Sequence, residues 1–384
     1  MGLNFQFATA SQIIFGRNSA EKIPGLLNSL GKSVMLVTGK SSDRALPLLQ
    51  PLSDKSHVTV FEIPSEPTTG LINQGIELAR KINCDVVIGI GGGSAIDSAK
   101  AIAALVPNNG NLLDFLEVIG KGKQLEQRPL PCIAVPTTSG TGAEATKNSV
   151  IKSEEHQVKV SLRSDLMYPS LASVDPVLAV TMPPEITAST GVDALTHLLE
   201  TFVSNQSNAF VDQFCRDGMH RVARSLLKAN KNGNDIAARE DMAMAGLLGG
   251  IALANVKLGA VHGFAGPMGG VLPAPHGAVC ACLLPAVMEV NIEALSESNE
   301  VKMLQKYDEV AKIITGKNSA VAKDGVDWVR NLIHDLQIPK LSKYGLGTAG
   351  FNDLVQKAKK ASSMKGNAVL LNDNQLHLIL EQSI

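Results

Sequence analysis

The chain changes character near residue 180, and that change restricts its fold more than any other feature. Before it, short β-branched runs end in glycine or proline: SVMLVTG (33–39), HVTVFEIP (57–64), DVVIGIGGG (85–93) and CIAVPTTSGTG (132–142). Each reads as a buried strand entering a turn. Between them, GLINQGIELARKI (70–82) and SAIDSAKAIAALV (94–106) carry apolar residues three and four apart, the period of a helix. Strand alternating with helix predicts right-handed crossovers and a mostly parallel sheet covered on both faces. After TMPPEI (181–186) the β-branched runs disappear and Ala, Leu, Met and Glu take over, as in AREDMAMAGLLGGIALANVKLGAVHGFAG (238–266). The expectation is an α/β domain over residues 1–180 and a helical domain over 181–384. With no repeat, low-complexity tract or long linker, the two are expected to pack closely around a ligand cleft.

Charge narrows the partners. Lys+Arg 35 against Asp+Glu 36 leaves a net charge of −1, so no overall field favours nucleic acid or an anionic membrane. The start, MGLNFQFATASQIIFG, has no basic stretch followed by a long apolar run, and no window reads as the eighteen or so apolar residues of a membrane span. Five cysteines, odd in number and scattered, read as free thiols in a reducing compartment. These features predict a cytoplasmic protein. Cys280 and Cys282 form a C-x-C too short for the usual structural zinc spacing and read as buried small hydrophobes.

In IGIGGGSAIDSAK (88–100) a strand ends at three glycines and a helix opens at Ser94, which points unpaired backbone N–H groups at whatever lies above the turn. A phosphate is the natural occupant. The run departs from the G-x-G-x-x-G fingerprint, because Ser94 stands where the third glycine belongs, and a tight turn alone would also use these glycines. PTTSGTGAE (136–144) is a second strand end rich in small residues and hydroxyls, and two such loops on neighbouring strands predict one extended nucleotide. TGKSS (38–42) imitates the end of a Walker A loop, but Val34 occupies the place of its first glycine, so the P-loop reading fails.

In TASTGVDALTHLLETF (187–202), Asp193 and His197 leave the same helical face: half a metal site, or a solvated pair. His262 and His276, fourteen positions apart and each followed by glycine, supply two further candidates. One carboxylate and three imidazoles make a mixed oxygen and nitrogen site for a divalent first-row ion with coordination left open. Such an ion is a Lewis acid able to stabilise an alkoxide or polarise a carbonyl.

The GGGS-x-x-D-x-x-K run at 91–100, PTTSGTGAE, GVDALTH and the H-x13-PHG pair together resemble the iron-containing, or group III, alcohol dehydrogenases. The likeness extends from IIFGRNSAEKI (13–23) to SMKGNAVLLNDNQLHLIL (363–380). It implies a Rossmann-like nucleotide-binding domain followed by a helical metal-binding domain, an arrangement similar to dehydroquinate synthase. It implies Asp193, His197, His262 and His276 as ligands of Fe2+, with Zn2+ the other candidate. Gly92, Gly93 and Ser94 would cradle a pyrophosphate, with Asp97 in the following helix. Thr137, Thr138 and Thr141 would line the nucleotide, and Lys159 would reach it. The implied reaction moves a hydride between nicotinamide C4 and a metal-held alcohol or carbonyl, in a homo-oligomer, by resemblance a dimer.

Three positions depart from the relatives. Gly39 stands where many NAD-using members carry an acidic residue, with Lys40, Ser41, Ser42 and Arg44 nearby; loss of a charge that would repel a 2′-phosphate predicts NADP(H) over NAD(H). Gly266 replaces a histidine common four residues after His262, and Glu66 replaces a common asparagine. The alternatives are a glycerol dehydrogenase-like or other polyol or carbonyl reductase, a dehydroquinate-synthase-like carbocycle former, and a non-catalytic metal or nucleotide sensor.

Overall fold

The computed structural model describes residues 4–27, 30–40, 45–156 and 158–384. The chain forms two compact units, Ala8–Thr181 and Met182–Ile384, with Phe5 and Phe7 belonging to the second.

The first unit is built on eight strands: β1 (Ile13–Phe15), β2 (Ser33–Gly39), β3 (His57–Ile63), β4 (Val86–Gly91), β5 (Cys132–Pro136), β6 (Asn148–Ser153), β7 (Val158–Arg163) and β8 (Leu171–Val174). Its helices are α1 (Ile23–Leu26), α2 (Leu46–Ser53), α3 (Thr69–Lys81), α4 (Gly93–Leu105) and α5 (Leu112–Phe115). Six strands make a parallel sheet in the order β1-β8-β5-β4-β2-β3. Every residue of β4 and β5 is buried, as their unbroken apolar runs require of strands covered on both faces. From β2 the chain steps outward to β3, then returns to the other side of β2 as β4. That reversal opens a crevice at the carboxyl ends of β2 and β4, the usual ligand position in such sheets.

The four strand readings fall on β2, β3, β4 and β5. β1 and β8 are too short, at three and four residues, to stand out by pattern. β6 and β7 form a separate antiparallel hairpin, Lys152 opposite Lys159, that the reading of alternating strand and helix did not contain. Its inward residues, Ile151, Val160 and Leu162, join the core formed by α3 and α4.

The second unit is helical: α6 (Pro184–Phe202), α7 (Ala209–Lys231), α8 (Ile236–Asn255), α9 (Ala260–Met268), α10 (His276–Glu297), α11 (Val301–Thr315), α12 (Ala322–Asp335), α13 (Phe351–Lys360) and α14 (Asp373–Ser383). One apolar core runs through it, drawing on α6 to α14. The helix α10 is long and apolar enough by composition to cross a membrane, a length the sequence reading passed over, and most of it is buried inside this unit. Phe5 and Phe7 stack against Phe210 and Phe214 of α7.

Candidate metal centre and nucleotide loops

Asp193, His197 and Glu200 lie at positions i, i+4 and i+7 of α6, on one face of a helix that is buried almost throughout. His262 is in the first turn of α9, and His276 is the first residue of α10. Gly277 makes the approach of α10 possible: a Cβ there would lie 2.2 Å from the Ser189 carbonyl oxygen and 3.2 Å from Asp193 Cβ. Any side chain would push α10 away from α6 and carry His276 off the site.

Three of the four predicted ligands converge on an oxygen of the fourth. Asp193 Oδ1 lies 3.6 Å from His262 Nε2, 3.8 Å from His197 Nε2 and 3.8 Å from His276 Nε2. It is buried and, among the described residues, has no hydrogen-bond partner. These separations exceed hydrogen-bond length. Two donors bound tetrahedrally to one ion at zinc-like bond lengths stand about 3.4 Å apart, close to the observed spacing. A buried carboxylate oxygen left without a partner costs free energy, which a divalent cation among these donors would offset. The residues present therefore fit a metal ion. Burial pushes the Asp193 carboxyl upward, but the surrounding imidazoles, His197 first, more than reverse this and hold it below the usual carboxylate range.

Glu200, which the sequence reading missed, fixes His262. Its Oε2 accepts from His262 Nδ1 at 2.7 Å, and its Oε1 accepts from the Val261 backbone N–H at 2.7 Å. Gly259, the N-cap of α9, has no side chain to cap the helix, so Glu200 caps it from α6 while Asn367 Oδ1 accepts from Ala260 N–H. With Nδ1 directed at a carboxylate, His262 turns its Nε2 toward Asp193, the nitrogen it would offer to an ion. This is the carboxylate–histidine support common around metal sites. The available signal was Glu200 one turn beyond His197 in a helix too buried to leave a carboxylate unpartnered.

Exposure gives the centre a direction. The side chains of Asp193, His197 and His262 are all under 8 % exposed, whereas His276 is 45 % exposed. The centre is therefore least enclosed at His276. Gly266 lies one turn after His262 on α9, exposed, and a Cβ there would meet nothing within 4 Å, so the position is open space.

In the sheet unit the predicted nucleotide residues gather at adjacent strand ends. Gly39 closes β2, Thr38 pairs with Ile90 of β4, and Gly91 pairs with Pro136 of β5. Gly91 has φ +155°, a conformation side chains disfavour, and it turns the chain from β4 into α4. Gly92 is the N-cap of α4 without a side-chain cap, which leaves the first turn, Gly93 and Ser94 included, suited to an anion. A Cβ on Gly93 would lie 3.1 Å from Thr141, and one on Gly92 would lie 3.4 Å from Thr138, so the two loops pack directly on each other. Thr137 is buried and donates its backbone N–H to Gly91.

Asp97 and the unpredicted Lys100 tie this arrangement together. Asp97 accepts from Val150 N–H and pairs with Lys100 at 3.0 Å, while buried Lys100 donates to Ala143 O, Thr146 Oγ1 and Asn148 O. The side chain of Asp97 is thus engaged in joining α4 to the segment after β5. Lys159 on β7 pairs with Glu66. Glu66 is half exposed, so the pair is weak and leaves Lys159 available to another anion. Lys40 is exposed. Ser41, Ser42 and Arg44 lie outside the described residues.

A parallel-sheet unit with an anion-binding helix start, together with a helical unit presenting one carboxylate and three imidazoles, defines a metal-dependent, dinucleotide-linked oxidoreductase. Comparison with known proteins gives the particular family. The model of the iron-containing alcohol dehydrogenases matches residues 10–176, and that of the C-terminal domain of the Fe-containing alcohol dehydrogenase family matches residues 187–384. The chain belongs to the iron-containing alcohol dehydrogenase family. It is 33% identical to the choline dehydrogenase of Bacillus subtilis over 343 residues, 88% of this chain and 83% of the relative. It is also 33% identical to the NAD-dependent methanol dehydrogenase of Bacillus methanolicus, covering 77% of each chain. A crystal structure of a 1,3-propanediol oxidoreductase superposes with a TM-score of 0.91 at 29% identity, covering 99% of this chain and 100% of the other.

Proposed function

We propose that the protein is a metal-dependent alcohol dehydrogenase and aldehyde reductase that uses Asp193, His197, His262 and His276 to hold its ion, Fe2+ first and Zn2+ second. The observation that carries this reading is the buried Asp193 Oδ1, without a hydrogen bond and ringed by three imidazole nitrogens. A divalent ion there supplies charge stabilisation at a substrate oxygen, and a nicotinamide dinucleotide supplies or takes the hydride.

The remaining work falls to the chain. Glu200 holds His262 in one tautomer, and the exposed side at His276 admits a small alcohol or carbonyl compound. The uncapped start of α4, with Thr138 and Thr141 packed beneath it, receives a pyrophosphate, and Lys100 and Asp97 keep the two loops in register. Gly266 brings no proton acceptor, so that exposed position is left to water. The reading extends to a cytoplasmic enzyme, supported by five free cysteines, and by family resemblance to a dimer, which light scattering checks.

For cofactor choice we propose NADP(H) over NAD(H), on the absence of a carboxylate at Gly39. The methanol dehydrogenase relative is NAD-dependent by name, so Gly39 is the feature on which the difference rests. The test is a panel of alcohols and aldehydes read by NAD(P)H absorbance, with apoprotein and with Fe2+ or Zn2+ restored anaerobically. Metal-dependent turnover is expected, with the higher kcat/KM for NADP(H). Gly39→Asp should move the ratio toward NAD(H) by roughly tenfold or more, the scale of one charge-assisted hydrogen bond. A clear NAD(H) preference in the unsubstituted protein would overturn the cofactor proposal. A protein that binds metal and nucleotide yet turns over nothing in the panel would favour the sensor.

A further inference from the structure

Cys280 lies one turn after His276 on α10 and is fully buried. Its Sγ is 3.7 Å from His276 Nε2 and 3.8 Å from His262 Nε2. One donor atom each from Asp193, His262, His276 and Cys280 lies within 4.8 Å of the other three. Both cysteines of the C-x-C are buried in the apolar core, as read from the sequence; Cys282 donates its thiol to Pro339 O, whereas Cys280 faces two histidine nitrogens.

A simple thiol hydrogen bond accounts for only part of this geometry. A single S–H cannot serve the nitrogens of both histidines, and Asp193 Oδ1 beside them has no donor either. The sulfur, two imidazole nitrogens and a carboxylate oxygen without a hydrogen bond thus form one compact, buried cluster of metal-donor atoms. A sulfur and a nitrogen bound to one ion at zinc-like bond lengths stand roughly 3.1 to 3.6 Å apart as the angle between them opens from 90° to the tetrahedral value, near both observed separations.

We propose that Cys280 is a further ligand of the metal centre, adding a sulfur donor to the Asp193, His197, His262 and His276 set. This rests on the metal-centre reading above. A soft donor shifts preference toward zinc-like ions relative to an oxygen and nitrogen site alone.

The test is the spectrum of the full chain with Co2+ restored to the apoprotein anaerobically, compared with Cys280→Ala and Cys282→Ala. The expected result is visible ligand-field bands together with an intense near-ultraviolet sulfur-to-cobalt band. Cys280→Ala should lose only the sulfur band and bind Zn2+ at least roughly tenfold more weakly, while Cys282→Ala keeps both bands. Visible bands without a sulfur band in the unsubstituted chain, or a sulfur band that survives Cys280→Ala, would overturn the proposal and leave the metal centre standing. Failure of the unsubstituted chain to take up cobalt would overturn both. If Cys280→Ala does not fold, the unsubstituted chain and Cys282→Ala decide the matter, because a sulfur band retained in Cys282→Ala leaves Cys280 as the cysteine within reach.

Discussion

Glu200 and Gly277 show what single residues contribute to the centre. Neither is expected to touch an ion, yet Glu200 sets the orientation of His262 and Gly277 allows His276 to reach Asp193. Replacing Glu200 with Gln keeps the size and removes the charge. Metal affinity should fall by about 10- to 100-fold, the usual cost of altering a histidine's supporting carboxylate, with near-normal helix content. Isothermal titration of the apoprotein with Zn2+ measures it, and an unchanged affinity would deny Glu200 its positioning role. The four candidate ligands were legible because residue type and spacing carry the signal. The part of Glu200 was not, because it comes from packing against α9, and the approach of Cys280 to His262 was not, because it comes from the meeting of α9 and α10, which linear spacing does not display.

At the scale of elements, the loops after β4 and β5 are held as one body by buried charge. Lys100 is enclosed by three oxygen acceptors and Asp97, a placement that helical period alone reads as an exposed or snorkelling lysine. Glu144, at the end of PTTSGTGAE, is buried beside this group. Burial raises its pKa to about 7, only partly opposed by its own backbone N–H and the Lys100 charge. A carboxyl whose folded pKa is raised gives its full stabilisation below its unfolded pKa and loses it as pH rises through about 7. Glu144→Gln should therefore raise the melting temperature at pH 8, by the equivalent of on the order of 3 kcal/mol, and change little at pH 4. Thermal unfolding at the two pH values checks this, and equal shifts at both would show that Glu144 does not titrate in this range. β2 to β5 were readable because their apolar runs end in glycine or proline, and α3 and α4 because their apolar residues hold the helical period over thirteen residues each. The β6–β7 hairpin was obscured because its alternation is mixed with charged residues, Lys152, Lys159 and Arg163.

Across the whole molecule, the change in composition near residue 180 separates two kinds of packing: a parallel sheet whose strand ends carry glycines, threonines and an uncapped helix start, and a helical core that holds one carboxylate and three imidazoles. A near-zero net charge agrees with a small-molecule enzyme, and the apolarity of α10 is used inside the helical core. The central claim is that this core binds the ion on which turnover depends. The most direct measurement is the metal content of His276→Ala, set beside its turnover. His276 is the most exposed of the four side chains, so its removal disturbs the core least. After anaerobic reconstitution with Fe2+, the unsubstituted protein should hold an ion and oxidise alcohol. His276→Ala should keep its helix content, hold far less metal and lose turnover. Full metal occupancy with full activity in His276→Ala would contradict the account.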